Sequence, residues 1–195
     1  MKFDSLYESI LLELFDTKTE VEWKVDPTNK NSYTCEFVTK NNKPYIVTAV
    51  KSSSYLLFNV TQLLKSIKSD YEDMESLDEF EKEIPRDFID FVNKHPETGI
   101  WNITFEDKEL ASSNGEGDKN SFGITGSGDS VEVFSKVVNA LKSFDFGSDI
   151  LYFTASEPSR IKLYDKMLGR LAGALGYKHF RYNDIKRRGI YICYK

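Results

Sequence analysis

A short glycine pair ahead of one helix and a tyrosine inside another are the residues whose types and spacing suggest chemistry in this chain of 195 residues. Gly126-Ser127-Gly128 ends the β-type run SFGIT (121–125) and precedes the helical segment DSVEVFSKVVNALKSF. Backbone N–H groups at such a junction, with a helix dipole behind them, can hold an anion. Ile124, Thr125, Gly126, Ser127 and Gly128 are therefore candidates for contacts with a phosphate-bearing cofactor. Gly123 falls within the strand, so the spacing is neither a dinucleotide fingerprint nor a P-loop. Asp129 repels phosphate but makes a good N-cap, and Glu132 three residues on completes a capping-box pattern. A structural turn and an anion cradle both remain open.

The second constellation is SEPSRIKLY (156–164), which follows the apolar run DILYFTAS (149–156). Open α/β sheets gather ligands beyond the carboxyl ends of their strands, which is where this segment falls. Ser156 can cap, Pro158 can start the helix, and Ser159, Arg160 and Lys162 offer donors. The phenol of Tyr164 can protonate a leaving group. Ile161, Tyr164, Leu168, Leu171 and Leu175 also form one helical stripe, so Tyr164 is equally expected in a core. Glu106 and Asp107, at the end of the run WNITF, are candidate bases.

Other residues point less far. His95 and His179 stand without partner motifs, and no Ser-His-Asp order, paired-carboxylate motif or CxxC is present. Cys35 and Cys193, far apart in two β-type runs, are expected as buried thiols, and no metal site is expected. Lys186-Arg187-Arg188 among Tyr182, Tyr191 and Tyr194 suits either a nucleic-acid grip or a charged hairpin turn.

The elements that must position these groups follow from periodicity. Phe3 to Phe15 has helical spacing, VEWKV (21–25) suits a strand, and YTCEFVT (33–39) and YIVTAV (45–50) make a hairpin across Asn41-Asn42. YLLFNV (55–60) suits a further strand or the start of a helix with Gln62-Leu63-Leu64, and is read as a strand. Residues 61–97 form an acidic helical insert interrupted near Glu75-Ser76 and at Pro85, and WNITF returns to β. Then come a polar glycine-rich loop (111–121), strand, helix, strand, helix and two closing strands. One α/β domain over 1–195, a mixed sheet with helices on both faces, accommodates this order.

Composition adds limits. Net charge is −5, yet residues 70–97 hold eleven acids against three bases, and residues 157–195 hold ten bases against three acids. The two stretches either complement each other within the molecule or give the chain a partner: a protein, a second copy, or an anion such as nucleic acid. No run reaches the roughly 20 apolar residues of a membrane span. The acid-bearing N-terminus differs from a signal sequence, so a cytoplasmic location without membrane attachment is expected.

The order strand, glycine turn, helix, strand, helix, strand, strand over about residues 100–195 resembles the C-terminal half of the Gcn5-related N-acetyltransferases (GNAT). The resemblance implies acetyl-CoA, or another acyl-CoA, held between two splayed parallel strands. It implies pyrophosphate at the first helix, after Gly126-Ser127-Gly128, and Tyr164 as the acid that protonates the CoA thiolate; Gly176-Tyr177 resembles the Gly-Phe ending of the second helix. No Arg or Gln stands at the usual interval before the glycines, Glu157 replaces a common Asn, and Tyr164 lies twelve residues before Gly176 instead of about four, roughly two extra turns. The implied activity is N-acyl transfer to an amine of a small molecule or protein. TGSGD and EPSRIKLYDKM resemble segments of uncharacterised tailed-bacteriophage proteins. That implies the alternative of a phage-encoded, non-catalytic accessory protein in the host cytoplasm that binds a protein or itself; a nucleic-acid-binding module is the third reading.

Overall fold

The computed structural model describes residues 21–52, 59–73, 77–108, 130–155, 158–184, 186 and 188–195. The helix expected at 3–15, the strand expected at 121–125 and the glycine-rich loop at 111–121 lie outside them, as do residues 55–58 of the strand expected at 55–60. The fold is mixed α/β. Seven strands form one mixed sheet: β1 (Trp23–Val25), β2 (Ser32–Val38), β3 (Pro44–Lys51), β4 (Ile100–Asp107), β5 (Ile150–Ala155), β6 (Lys178–Asn183) and β7 (Gly189–Tyr194). Their spatial order is β1-β2-β3-β4-β5-β7-β6. Five helices are described: α1 (Val60–Asp73), α2 (Leu77–Glu83), α3 (Arg86–Lys94), α4 (Ser130–Ser143) and α5 (Pro158–Leu175). None of them is long and apolar enough to cross a membrane.

The chain divides into two compact units, Met1–Thr48 with Phe105–Asp145, and Ala49–Thr104 with Phe146–Lys195. In the first, β1 pairs antiparallel with β2, Trp23 opposite Cys35. Thr39 and Lys43 close the β2–β3 hairpin, the Thr39 N–H donating to the Lys43 carbonyl at 2.9 Å. Asn42 takes the left-handed φ of 59° that such a turn needs and that Asn tolerates. α4 joins β1 and β2: the Trp23 indole donates to the Ala140 carbonyl at 3.0 Å, and Phe144 meets both Trp23 and Tyr33 edge-on at 4.9 Å.

The second unit is layered. The last residue of YLLFNV, Val60, opens α1 instead of ending a strand, because the Asn59 side chain caps the helix by accepting from the Gln62 N–H at 3.1 Å. The acidic stretch is helical as its stripes predict, and Pro85 separates α2 from α3, where a missing N–H costs least. Leu63, Ile67 and Tyr71 of α1 and Phe88, Phe91 and Val92 of α3 pack on a sheet face made by Ile100, Ile150, Ile190, Ile192, Phe180 and Tyr194. α5 covers the opposite face, where Tyr164 meets Phe153 and Tyr191. Its end is set by Gly176 at φ 70°, which lets the Tyr177 N–H reach back to the Ala172 carbonyl at 2.7 Å.

Candidate functional site

Among the described residues one helix, α4, lies between β4 and β5 in the chain, and the two strands are parallel. Their ladder joins Ile100, Trp101 and Asn102 to Ile150, Leu151 and Tyr152 and stops there, although both strands continue. β5 remains paired with β7 as far as Ala155. Ile103–Thr104 and Phe153–Ala155, all in the second unit, therefore part in the middle of the sheet. Thr104 is exposed, a condition unusual for an interior strand.

The closed end of this wedge is pinned by Asp149. Its carboxylate accepts from the Gly99 N–H and the Trp101 indole, each at 3.0 Å, and pairs with Lys51 at 2.8 Å. Charge-assisted bonds of this kind are roughly twice as strong as neutral ones.

Cross-strand register arranges the face under α1 and α3 in rows. Ile100 and Ile150 are opposite one another, then Asn102, Tyr152, Ile192 and Phe180 align, then Thr154, Ile190 and Tyr182. The face thus turns from apolar to polar toward the carboxyl end of β5, the side where parallel strands open. Beyond Tyr182, the buried Asp184 accepts from the backbone of Lys186 and Arg188 and from the Arg188 guanidinium at 2.6 Å. Asp70, near the end of α1, feels the charges of Asp184 and Arg188.

The groups act on one another. Burial first, then the Asp184 and Asp73 carboxylates, raise the Asp70 carboxyl above its ordinary value, with Arg188 pulling it down. Burial pushes the Tyr152 phenol up to about 12, Arg188 opposing and Asp184 and Asp70 adding to the rise. Tyr182 is raised further, again by burial first, then by Tyr152, Asp70 and Asp184. Both phenols stay protonated at neutral pH, so both are hydrogen-bond donors.

Sequence reasoning did not single out Asp70, Tyr152 or Asp184 as a site, and it took Arg188 only as part of the basic triplet and Tyr182 as a neighbour of it. One signal was present: Tyr152 and Thr154 put hydroxyls at alternate positions into the otherwise apolar DILYFTAS.

The residues singled out from sequence are placed as follows. Tyr164 is 3% exposed, its ring edge-on to Phe153 at 6.2 Å and to Tyr191 at 5.3 Å, on the face opposite Tyr152. Glu106 is half-buried and Asp107 is 7% exposed, adjacent at the end of β4. Ser159 and Arg160 lie in the first turn of α5. Ile124, Thr125, Gly126, Ser127, Gly128 and Asp129 lie outside the described residues. Glu132 accepts from the Lys40 N–H through both oxygens, at 3.0 and 3.2 Å, and Asp129, its partner in the expected capping box, lies outside the described residues. The carboxylate satisfies an otherwise open hairpin amide, a use that sequence spacing cannot anticipate.

The opposed charges meet within the second unit. Lys178 pairs with Asp87 at 2.6 Å, and Asp87 also accepts from the Tyr194 hydroxyl at 2.9 Å. Arg188, one of the basic triplet, is bonded to Asp184 at the base of the β6–β7 hairpin. Among the described residues there is no cluster of three or more His, Cys, Asp or Glu able to hold a metal ion. No protein-family model, curated protein or solved structure matches the chain.

Proposed function

We propose that the chain is a GNAT-like, acyl-CoA-dependent N-acyltransferase that works at the wedge between β4 and β5 and acts on an amine of a small molecule or protein. The observation that carries this reading is the β4/β5 ladder, which ends after Asn102 and Tyr152 while both strands run on. Acetyl-CoA in the resembled family lies between two splayed parallel strands, and the order from β4 to β7 is strand, helix, strand, helix, strand, strand. β4 takes the place of the first splayed strand, upstream of the 121–125 run that its sequence pattern suggested.

In this reading the thioester lies along the wedge, with its phosphates toward the first turn of α5 at Ser159 and Arg160, while Gly126-Ser127-Gly128, the other expected phosphate contacts, lie outside the described residues. The acid is Tyr164, whose ring packs edge-on against Phe153, the first β5 residue beyond the ladder. Glu106, half-buried, and Asp107, deeper, remain the candidate bases that the sequence offers. The charge pairing of Lys178 with Asp87 and of Arg188 with Asp184 supports this reading over macromolecular docking through opposed faces, because those charges already have partners.

A thermal-shift titration with acetyl-CoA tests it. At about 100 times the dissociation constant, binding stabilises a fold by about 2.7 kcal/mol. An unchanged melting temperature at millimolar acetyl-CoA removes the enzyme reading.

A further inference from the structure

One turn of α5 is tied to the sheet by polar contacts, and Tyr164 lies inside that turn. Phe153, Tyr191 and Arg181 form one cross-strand row on the face that α5 covers. The Tyr191 hydroxyl donates to the Asp165 carboxylate at 2.8 Å and to the Ile161 carbonyl at 3.0 Å. The Arg181 guanidinium donates to both Asp165 oxygens, at 3.1 and 3.0 Å, and to the Asn183 side-chain oxygen at 2.9 Å. It lies 5.8 Å from the centre of the Tyr191 ring, and its Nε is buried without a hydrogen-bond partner among the described residues. A Cβ at Gly189 would come within 3.2 Å of the Tyr191 ring and 3.4 Å of Ile161 and Arg181, so this close approach depends on glycine. Burial first, then the bond to Asp165, raises the Tyr191 phenol, which therefore keeps its proton and stays a donor at neutral pH.

We propose that Tyr191 is a positioning residue: with Asp165 and Arg181 it locks the register of α5, so that Tyr164 is held against Phe153 where the β4/β5 ladder ends. The Tyr164 ring is edge-on to both members of the row, at 5.3 Å from Tyr191 and 6.2 Å from Phe153. Apolar burial is non-directional, so Leu168 and Leu171 hold α5 on the sheet without fixing how far it slides or turns. Hydrogen bonds one residue after Tyr164 and three before it fix both, because they have short distances and preferred angles. The carboxylate and the guanidinium make the lock charge-assisted. Placement matters to a proton donor, since a shift of about 1 Å can cost about 10²-fold in rate. As the holder of Tyr164 the lock stands by itself; as part of catalysis it rests on the acyl-transfer reading.

The test uses the full chain with 13C-labelled tyrosine rings, the Tyr164 signals being those that vanish in Tyr164→Phe. In the free protein the Tyr164 ring is expected to flip about tenfold faster in Tyr191→Phe, which keeps the ring and loses one charge-assisted bond. Asp165 has an exposed side chain, so its replacement spares the core. Asp165→Asn keeps an acceptor for Tyr191 and is expected to flip more slowly than Asp165→Ala. In turnover, followed as CoA release with n-butylamine or Nα-acetyl-lysine amide, Tyr191→Phe is expected to lower kcat about tenfold with KM for acetyl-CoA unchanged. It is expected to have no further effect on a Tyr164→Phe background, whereas a general weakening of the fold lowers both backgrounds alike. Equal flip rates in wild type and Tyr191→Phe overturn the lock. An acetyl-CoA thermal shift without CoA release, or with unchanged kcat in Tyr191→Phe, overturns the catalytic part alone. No acetyl-CoA shift in wild type removes the acyl-transfer reading and leaves the flip rates to decide the lock.

Discussion

The Asp149 carboxylate and the Trp101 indole, 3.0 Å apart, fasten the beginning of β5 to β4 just where their parallel ladder starts. The same carboxylate serves Gly99 and Lys51, so the strands are held at one end and free at the other. Asp149→Ala leaves the Gly99 N–H and the indole without their acceptor. A loss of about 2–4 kcal/mol is expected, from hydrogen bonds to a charged group at about 1.5–3 kcal/mol each, partly replaced by water. Urea denaturation checks it, and an unchanged midpoint would show that the fastening is dispensable.

The packing of α3 on the sheet depends on Phe88, which is fully buried and meets Phe180 at 4.8 Å and Tyr194 at 5.1 Å. Phe88→Ala is expected to cost about 3–5 kcal/mol, the range for truncating a buried aromatic residue. Phe88→Leu, which retains most of the volume, is expected to cost far less. Equal midpoints for the two variants would mean that the site collapses freely around the cavity.

Two phenols lie on opposite faces of β5, and kinetics separates them. Tyr164→Phe is expected to lower turnover by about 10²–10⁴-fold, the usual contribution of a general acid, with acetyl-CoA binding retained. Tyr152→Phe, on the other face, is expected to leave turnover close to that of wild type. If the two effects are exchanged, the proton comes from the α1 side of the sheet.

Asp70 has a measurable signature in stability. Its carboxyl is raised in the folded state, so the folded protein holds that proton more tightly than the unfolded chain. The stabilisation this gives is fully present below the unfolded value and lost as pH rises through the folded one. Asp70→Asn is therefore expected to be more stable than wild type at pH 7 and equal to it at about pH 3, where wild type is also uncharged. Chemical denaturation at the two pH values checks the sign. A less stable Asp70→Asn at pH 7 would mean that the carboxylate has a stabilising cation in the free protein.

Both thiols are fully buried, Cys35 raised to about 11 by burial and then by Glu36, and Cys193 to about 12 by burial alone. Reactivity belongs to the thiolate. Neither is expected to react with a thiol reagent at pH 8 before unfolding, and both are expected to react in denaturant. Rapid labelling of one cysteine in the native protein would show local opening of its strand.

Local order was legible in the sequence because short-range patterns encode it. The alternation in YTCEFVT and YIVTAV gave the hairpin, Pro85 gave the break between α2 and α3, and the stripe of Tyr164, Leu168 and Leu171 gave the buried side of α5. The polar end of the sheet face was not legible, since Tyr152 and Tyr182 come onto one face only through register between strands. Nor did spacing show that β5 takes β4 as its parallel neighbour, because partner choice in a sheet is decided by long-range contacts. The Val60 assignment failed for a local reason: an apolar run has no evident period, and one Asn cap decided it.

The sheet order has a consequence for how the chain is made. β7 is synthesised after the other six strands, yet it lies between β5 and β6. Until residues 189–194 leave the ribosome, β5 presents a bare backbone edge, and β6, which ends two places away, has nothing to pair with. Strand addition from another nascent chain competes during that interval. A slow, late folding step that depends on β7, and a need for chaperone cover before it, follow from the disagreement between synthesis order and spatial order.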